Sequence, residues 1–363
     1  MTSKLTYVLV PLVILGSGMT VIRKKDGQQT QRFEGLHSIT DHLTAISAEP
    51  PIDLNFCEEL VPLENPEVKD KIEYELHQNL FYRSSAALLI KRANRYRGEF
   101  VPILQKHGVP EDFFYLSVAE SGLSNAISPV GAKGFWQFMS ATGAHYGLEI
   151  SATVDERFHP AKSAEAAARY LSDLYDRFGD WQLVAAAYNM GPGGLSRAVR
   201  HQRTDDYFEL DLNSETGRYL YRILGFKTLL EDPLRYGFNL KEVYDPIPYR
   251  TVRVSKNLPS LKRFARQQGV EYDLLKLMNP WLTSHSLQVK PGKTYEIRLP
   301  LETEIKGREL EVYDPRDLRP VINSDTLELD EMDARREAQD SVKTEQLPDS
   351  LTVQKPSIDE QTS

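Results

Sequence analysis

From Asn65 to about Phe238 the chain sets apolar residues at the three- and four-residue spacing of helices and offers almost no alternating strand pattern. Such a length can bury its apolar faces only as helices packed on helices. Leu76, Leu80, Ala86, Leu89 and Ile90 fit one apolar face, and Phe100 to His107 reads as the next helix, stopped by Gly108 and Pro110. Further helices are expected at Ser163 to Phe178, Trp181 to Tyr188 and Thr216 to Leu230. Between about Tyr249 and Pro300 the pattern changes: Thr251 to Val254 reads as a strand, Leu258 to Gln268 and Glu271 to Met278 as short helices, and Tyr295 to Leu299 as a second strand. The expected fold is therefore mainly α, with a helical domain over residues 65–240 followed by a small α+β unit over 245–302.

The flanks differ in character. Lys4 precedes a nearly uncharged run from Leu5 to Ile22, followed by Arg23, Lys24 and Lys25, so residues 1–25 read as a signal peptide or a membrane anchor. A buried N-terminal helix is the plainer alternative. Either export reading puts the protein on the periplasmic side of the cell envelope. Residues 26–64, with Pro50 and Pro51 and no long periodicity, read as a linker, and residues 320–363 as an acidic, disordered tail. Of the 52 acidic and 44 basic residues, 17 and 8 fall from residue 301 onward. The body is thus near neutral, which speaks against nucleic acid as a partner and leaves an anionic polymer unrepelled. Cys57 is the only cysteine, excluding an internal disulfide and a cysteine-built metal site. His145 and His159 have no partner at metal-ligand spacing, so neither metal nor cofactor is expected.

The segment from Val109 to Leu148 carries the chemistry. Glu111 and Asp112 open a helix on which Phe113, Leu116, Ser117 and Glu120 share a face, and Gly122 allows it to end. A carboxylate at the end of an apolar face is costly to ionise, so the pKa of Glu120 is expected to rise, as a general acid requires. The loop Ser128-Pro-Val-Gly-Ala-Lys-Gly134 then delivers Phe135, Trp136 and Gln137. Two rings beside an amide suit a sugar, whose apolar faces stack and whose hydroxyl and acetamido groups bond to amides. The same rings serve equally well as plain core.

Glu120-Ser121, Gly134-Phe-Trp-Gln137 and Ala187-Tyr-Asn-Met-Gly191, in that order, resemble the three motifs of the family 1 lytic transglycosylases, toward their D-type members. Asp155-Glu156-Arg157, the Ala-rich stretch Ala164 to Tyr170, Gly179-Asp180-Trp181 and Glu215-Thr216 with Tyr219 add further matches. The resemblance covers about residues 65 to 240 and implies a lysozyme-like helical catalytic domain. It implies that Glu120 is the sole acid/base and that Ser121, Ser128, Phe135, Trp136, Gln137, Tyr188, Asn189 and Glu215 line the substrate groove. Tyr188 would hydrogen-bond the glutamate and Asn189 support the site. Met190 stands where the family has a small residue, and either narrows the groove or packs beneath it. Without the resemblance, Tyr188 and Asn189 would simply end a helix before Gly191, and Asp155, Glu156 and Arg157 are a structural ion-pair and capping cluster.

The implied reaction cleaves the β-1,4 bond between N-acetylmuramic acid and N-acetylglucosamine in peptidoglycan, without water, leaving 1,6-anhydro ends. A goose-type lysozyme that uses water and a wall-binding protein that cuts nothing are the alternatives. The small C-terminal unit resembles a LysM module, with Asn279 and Ile297-Arg-Leu-Pro300 in matching places but Ser255-Lys256-Asn257 where an opening Gly-Asp or Gly-Glu belongs. Glycan binding and simple packing on the catalytic domain both remain open for it.

Overall fold

The computed structural model describes residues 48–301. The expectations for residues 1–25, 26–47 and 320–363 lie outside them. Among the described residues no helix is long and apolar enough to cross a membrane.

Residues 48–64, read from the sequence as linker, hold a hairpin of β1 (Asn55–Phe56) and β2 (Glu59–Leu60). Cys57 and Glu58 turn it with left-handed φ of 54° and 71°. Two anchors fix so short an element: Phe56 is fully buried against Phe113, and Asp112 accepts from the Cys57 amide at 2.6 Å while Lys227 bridges Asp112 and Asn55. These partners are distant in sequence, so no local pattern announces the hairpin.

Helix α1 (Pro66–Phe81) starts on Asn65, whose side chain accepts from the Glu67 amide, with Pro66 in the first turn. It buries Val68, Ile72, Leu76 and Leu80 along one stripe. Helix α2 (Arg83–Lys106) departs from expectation twice. The chain breaks at Tyr82, with ψ of 58°, although Leu80 and Ala86 fit one face. It then runs unbroken through Pro102. Proline deprives the carbonyl four residues earlier of its partner; that residue is Gly98, which is exposed and has nothing within 4 Å of where a Cβ would stand, so water can take its place.

Helix α3 (Phe113–Ser121) lies in the core between α2 and α8 (Thr216–Glu231), and all of its residues but Glu120 are buried. The short α4 (Ser140–His145) leads to a 3-10 turn at Glu156–Phe158. Helix α5 (Pro160–Phe178) follows, burying Ala164, Ala166, Ala167, Ala168, Leu171 and Leu174. Burial pushes the pKa of its cap His159 down to about 3, so the ring is neutral and accepts from the Lys162 amide. Gly179 ends α5 at φ 70°, and Asp180 caps α6 (Trp181–Met190) at 2.7 Å from the Leu183 amide. Helix α7 (Pro192–Gln202) comes next in the chain, after Gly191.

In the C-terminal unit β3 (Tyr249–Val254) and β4 (Tyr295–Pro300) pair antiparallel, Val252 opposite Ile297, around α9 (Leu261–Gln267) and α10 (Tyr272–Met278). Asn279 is fully buried and ties the end of α10 to β4: its Nδ2 donates to the Leu275 and Arg298 carbonyls, and its Oδ1 accepts from the Arg298 amide. The unit does not hang free. Val154 and Phe158 join its core beside Trp281, Leu282 and Tyr295, and Val154 bridges Leu282 in strand fashion. Arg298 pairs with Glu99. Buried Glu149 accepts from Tyr295 at 3.0 Å and meets Lys290 and Lys293.

Candidate active site

Glu120 reaches the surface from the last turn of α3, half-buried, because Gly122 turns the chain away with φ 57° and the preceding turns are locked in core. Burial drives its pKa up to about 7, the nearby Glu215 carboxylate adds to the rise, and a hydrogen bond from Tyr219 together with Arg222 opposes it. Near neutral pH this carboxyl therefore populates both states, as a group that first gives and then takes a proton must. Tyr219, on α8, donates to its Oε1. Burial and the neighbouring Glu120 hold the Tyr219 phenol well above its ordinary range, so it stays a donor.

Asn189, in the last turn of α6, donates to Glu215 at 2.8 Å and accepts from the Thr216 hydroxyl at 2.7 Å. This fixes Glu215 at the start of α8, on whose next turn Tyr219 stands. Gly191, at φ 81°, ends α6 directly after Met190, so Tyr188 and Asn189 stand in the last turn of that helix. Met190 packs over Gly194, whose missing Cβ would stand 3.3 Å from the Met190 Cε.

Gln137 sits in a left-handed conformation at φ 45°, and its Nε2 donates to the Gly134 carbonyl at 2.8 Å and the Ala126 carbonyl at 3.2 Å. Both amide hydrogens are thus spent on the loop, and the side chain is half-buried. Beneath it lies the Asp155–Arg157 cluster. The Arg157 guanidinium bonds Asp155 through Nε and Nη2 at 2.9 and 2.8 Å and caps the Gly131 and Phe138 carbonyls through Nη1 at 3.2 Å. Burial alone would raise the Asp155 pKa, but the Arg157 contacts outweigh it and hold it low. The Asp155 amide donates to the Trp281 carbonyl at 2.9 Å, tying the cluster to the C-terminal unit.

Several expectations need correcting. Phe135 and Trp136 form no sugar platform: they are 1% and 0% exposed and pack against Phe100, Phe135 also against Tyr96. The Ser121 side chain is likewise buried, its hydroxyl given to the Ser117 and Phe135 carbonyls, where it pins the loop to α3 rather than meeting substrate. Ser128 needs no such correction: its hydroxyl accepts from the Ala132 amide, and the residue is half-buried. Tyr188 does not bond Glu120; its hydroxyl donates to the Trp136 carbonyl at 2.7 Å. The glutamate's tyrosine is Tyr219, which the sequence offers as a motif match, and Arg222 was given away by no motif. Among the described residues no group of three or more His, Cys, Asp or Glu is placed to hold a metal.

Residues 102–210 match the transglycosylase SLT domain family, and residues 250–303 match the soluble lytic transglycosylase C-terminal LysM-like domain. The chain is 27% identical over 224 residues to the membrane-bound lytic murein transglycosylase D of Escherichia coli, covering 60% of this chain and 49% of that protein. It is 32% identical over 110 residues to a putative tributyltin chloride resistance protein of an Alteromonas species, covering 30% of this chain and 53% of that one. The chain thus spans about half the length of the curated relatives it matches. Among solved structures it is similar to an inactive mutant of lytic transglycosylase Slt from Pseudomonas aeruginosa, at 22% identity and a TM-score of 0.30 over 42% of this chain and 26% of that one. The 70 kDa soluble lytic transglycosylase of Escherichia coli matches at 22% identity and 0.32 over 37% and 24%.

Proposed function

We propose that this chain, which carries an SLT transglycosylase domain followed by a LysM-like domain, is a lytic murein transglycosylase of the cell envelope, working on the periplasmic side. The observation that carries the reading is the half-buried Glu120, its pKa raised to about 7 and one of its oxygens held by Tyr219. Protonated Glu120 gives its proton to the oxygen leaving C1 of N-acetylmuramic acid. The sugar's own acetamido oxygen stabilises the cationic C1 from the opposite face, so no protein nucleophile is needed. The Glu120 carboxylate then takes the proton from the C6 hydroxyl, whose oxygen bonds to C1 and closes the 1,6-anhydro ring. Tyr219 orients the carboxyl through both transfers. Gln137 Oε1 and the Asn189–Glu215 pair meet the flanking sugars. Residues 1–25 serve as signal peptide or anchor, and the division into a catalytic domain at 65–240 and a module at 245–302 follows the same reading.

One observation favours a second reading. Glu215 is close enough to raise the Glu120 pKa, and a second carboxylate near the first is what a water-using glycosidase requires. Its hydrogen bond from Asn189 commits one oxygen to structure. Mass spectrometry of muropeptides released from purified sacculi separates the two, since hydrolysis adds one water per cut. Anhydro ends released by the natural chain and absent with Glu120→Gln support the proposal; hydrated ends overturn it in favour of the lysozyme.

A further inference from the structure

Three tyrosines from three helical elements stand in a row that starts at the candidate active site. Tyr188 on α6, Tyr170 on α5 and Tyr146, which follows α4, have ring centroids 5.3 and then 5.1 Å apart, each pair tilted by 40°. All three residues are half-buried, in contrast to Phe135 and Trp136, and Tyr146 lines an open cavity. The first and last are pinned at their hydroxyls, Tyr188 to the Trp136 carbonyl and Tyr146 to Asp173 Oδ2 at 2.9 Å. The Tyr170 hydroxyl has no hydrogen-bond partner among the described residues. Beyond Tyr146 the row opens on a cavity of about 490 Å³ lined by His107, His145, Tyr146, Arg169, Ser172 and Asp173.

The chemistry of that cavity narrows its occupant. Its lining charges are balanced: Arg169 and Asp173 stand one turn apart on the same helix, and His107 is bonded to Glu165 just outside the lining. A balanced lining does not select an anion or a cation. What it offers is a donor at Arg169, an acceptor at Asp173 and the hydroxyl of Ser172 beside the Tyr146 ring, a set that suits a sugar bearing hydroxyl and acetamido groups.

We propose that Tyr170, Tyr146 and this cavity form an accessory subsite for the glycan strand, holding N-acetylated sugar units beyond the bond at Glu120. The inference rests on the reading of Glu120 as the cleaving centre, and it makes the enzyme favour long strands over short ones. The sugars' apolar faces lie along Tyr188, Tyr170 and Tyr146, and the unit entering the cavity bonds to Asp173, Ser172 and Arg169.

The test uses the full chain carrying Glu120→Gln and measures calorimetrically its affinity for purified peptide-free glycan strands, long against tetrasaccharide. Adding Tyr146→Ala or Tyr170→Ala is expected to weaken the long strand about fivefold to tenfold, the worth of one lost stacking ring, and to leave the tetrasaccharide within about twofold. Tyr146→Phe and Tyr170→Phe, which keep the ring, retain the long-strand affinity. With Glu120 restored, the alanine changes raise KM for long strands and leave kcat within about twofold. If alanine disturbs folding, Ser172→Trp, which fills the cavity and leaves all three rings in place, is expected to cause the same long-strand loss. Unchanged long-strand affinity, or equal losses for both lengths, overturns the proposal and makes the rings a seam between helices. Failure of the Glu120 reading shows separately, as undiminished product release by the Glu120→Gln chain.

Discussion

Tyr219 and Glu120 stand 99 positions apart in the chain, yet the phenol of the first donates to a carboxyl oxygen of the second. The bond stabilises the carboxylate against the burial that raises the Glu120 pKa to about 7. Because the first step needs the protonated form, kcat/KM is expected to fall as pH rises through about 7. Tyr219→Phe removes a donor to the charged form, so the falling limb moves to higher pH, while the loss of orientation lowers kcat by about tenfold. A pH–rate profile on soluble glycan checks both. A limb that stays in place without the phenol would sink the assignment of the titrating group to Glu120.

The same raised pKa has a thermodynamic sign. Between an unfolded value of 4.5 and a folded value of about 7 the native chain binds more proton than the unfolded chain, so stability declines as pH rises through that window. Glu120→Gln removes the ionisation and keeps an oxygen acceptor for Tyr219. It is expected to leave stability near pH 4 almost unchanged and to raise it at pH 8 by about 1–2 kcal/mol, the full shift being discounted for solvent at the half-buried carboxyl. Denaturant melts at the two pH values measure the difference. An equal effect at both would mean that Glu120 does not carry the charge penalty.

Much of this was legible because it is local. The helical stripe of Val68, Ile72, Leu76 and Leu80 and the glycine after Glu120 follow from spacing and turn chemistry, and Glu120, Gln137 and Asn189 sit in short motifs. What was misread depends on distant partners. Phe135 and Trp136 carry no mark that separates a sugar platform from core; Phe100, supplied by another helix, makes them core. The hairpin at Asn55–Leu60 depends on Asp112 and Lys227. The sequence pointed to Tyr188 as the tyrosine at the glutamate; the packing of α8 against α3 gives that role to Tyr219 and leaves Tyr188 to hold the loop.

Gly134 turns the loop ahead of Gln137 where a left-handed φ of 82° coincides with a close backbone approach: a Cβ would lie 1.9 Å from the Arg157 carbonyl oxygen. Backbone must move to admit a methyl group, so Gly134→Ala is expected to cost more than about 3 kcal/mol and to abolish activity by displacing Gln137. Gly131→Ala is the control. Its φ of 89° is also left-handed, but nothing lies within 4 Å of the added carbon, and the expected cost is about 1 kcal/mol. Similar costs at the two positions, read from denaturant midpoints, would contradict the close approach.

The C-terminal unit is expected to unfold together with the helical part. Val154 and Phe158 complete its core, the Asp155 amide bonds Trp281, and Glu149 binds Lys290, Lys293 and Tyr295, so its removal would strip the cluster beneath the Gln137 loop. Calorimetry is therefore expected to record one cooperative transition for helical part and unit together; two resolved transitions would show a module that folds by itself. Burial opposes ionisation of Glu149, but the hydrogen bonds from Lys293, Lys290 and Tyr295 prevail and its pKa lies below 4.5. Its contribution is thus complete at neutral pH and is lost as pH falls through that lowered value. Glu149→Gln is expected to cost about 1–2 kcal/mol at pH 7, because half-exposed Lys290 and Lys293 regain water, and to cost progressively less in acid. If the shared interface supports Arg157, the substitution also lowers kcat on glycan while the transition stays single. An unchanged kcat in a destabilised chain would confine Glu149 to stability and leave the Arg157 cluster to hold the loop unaided.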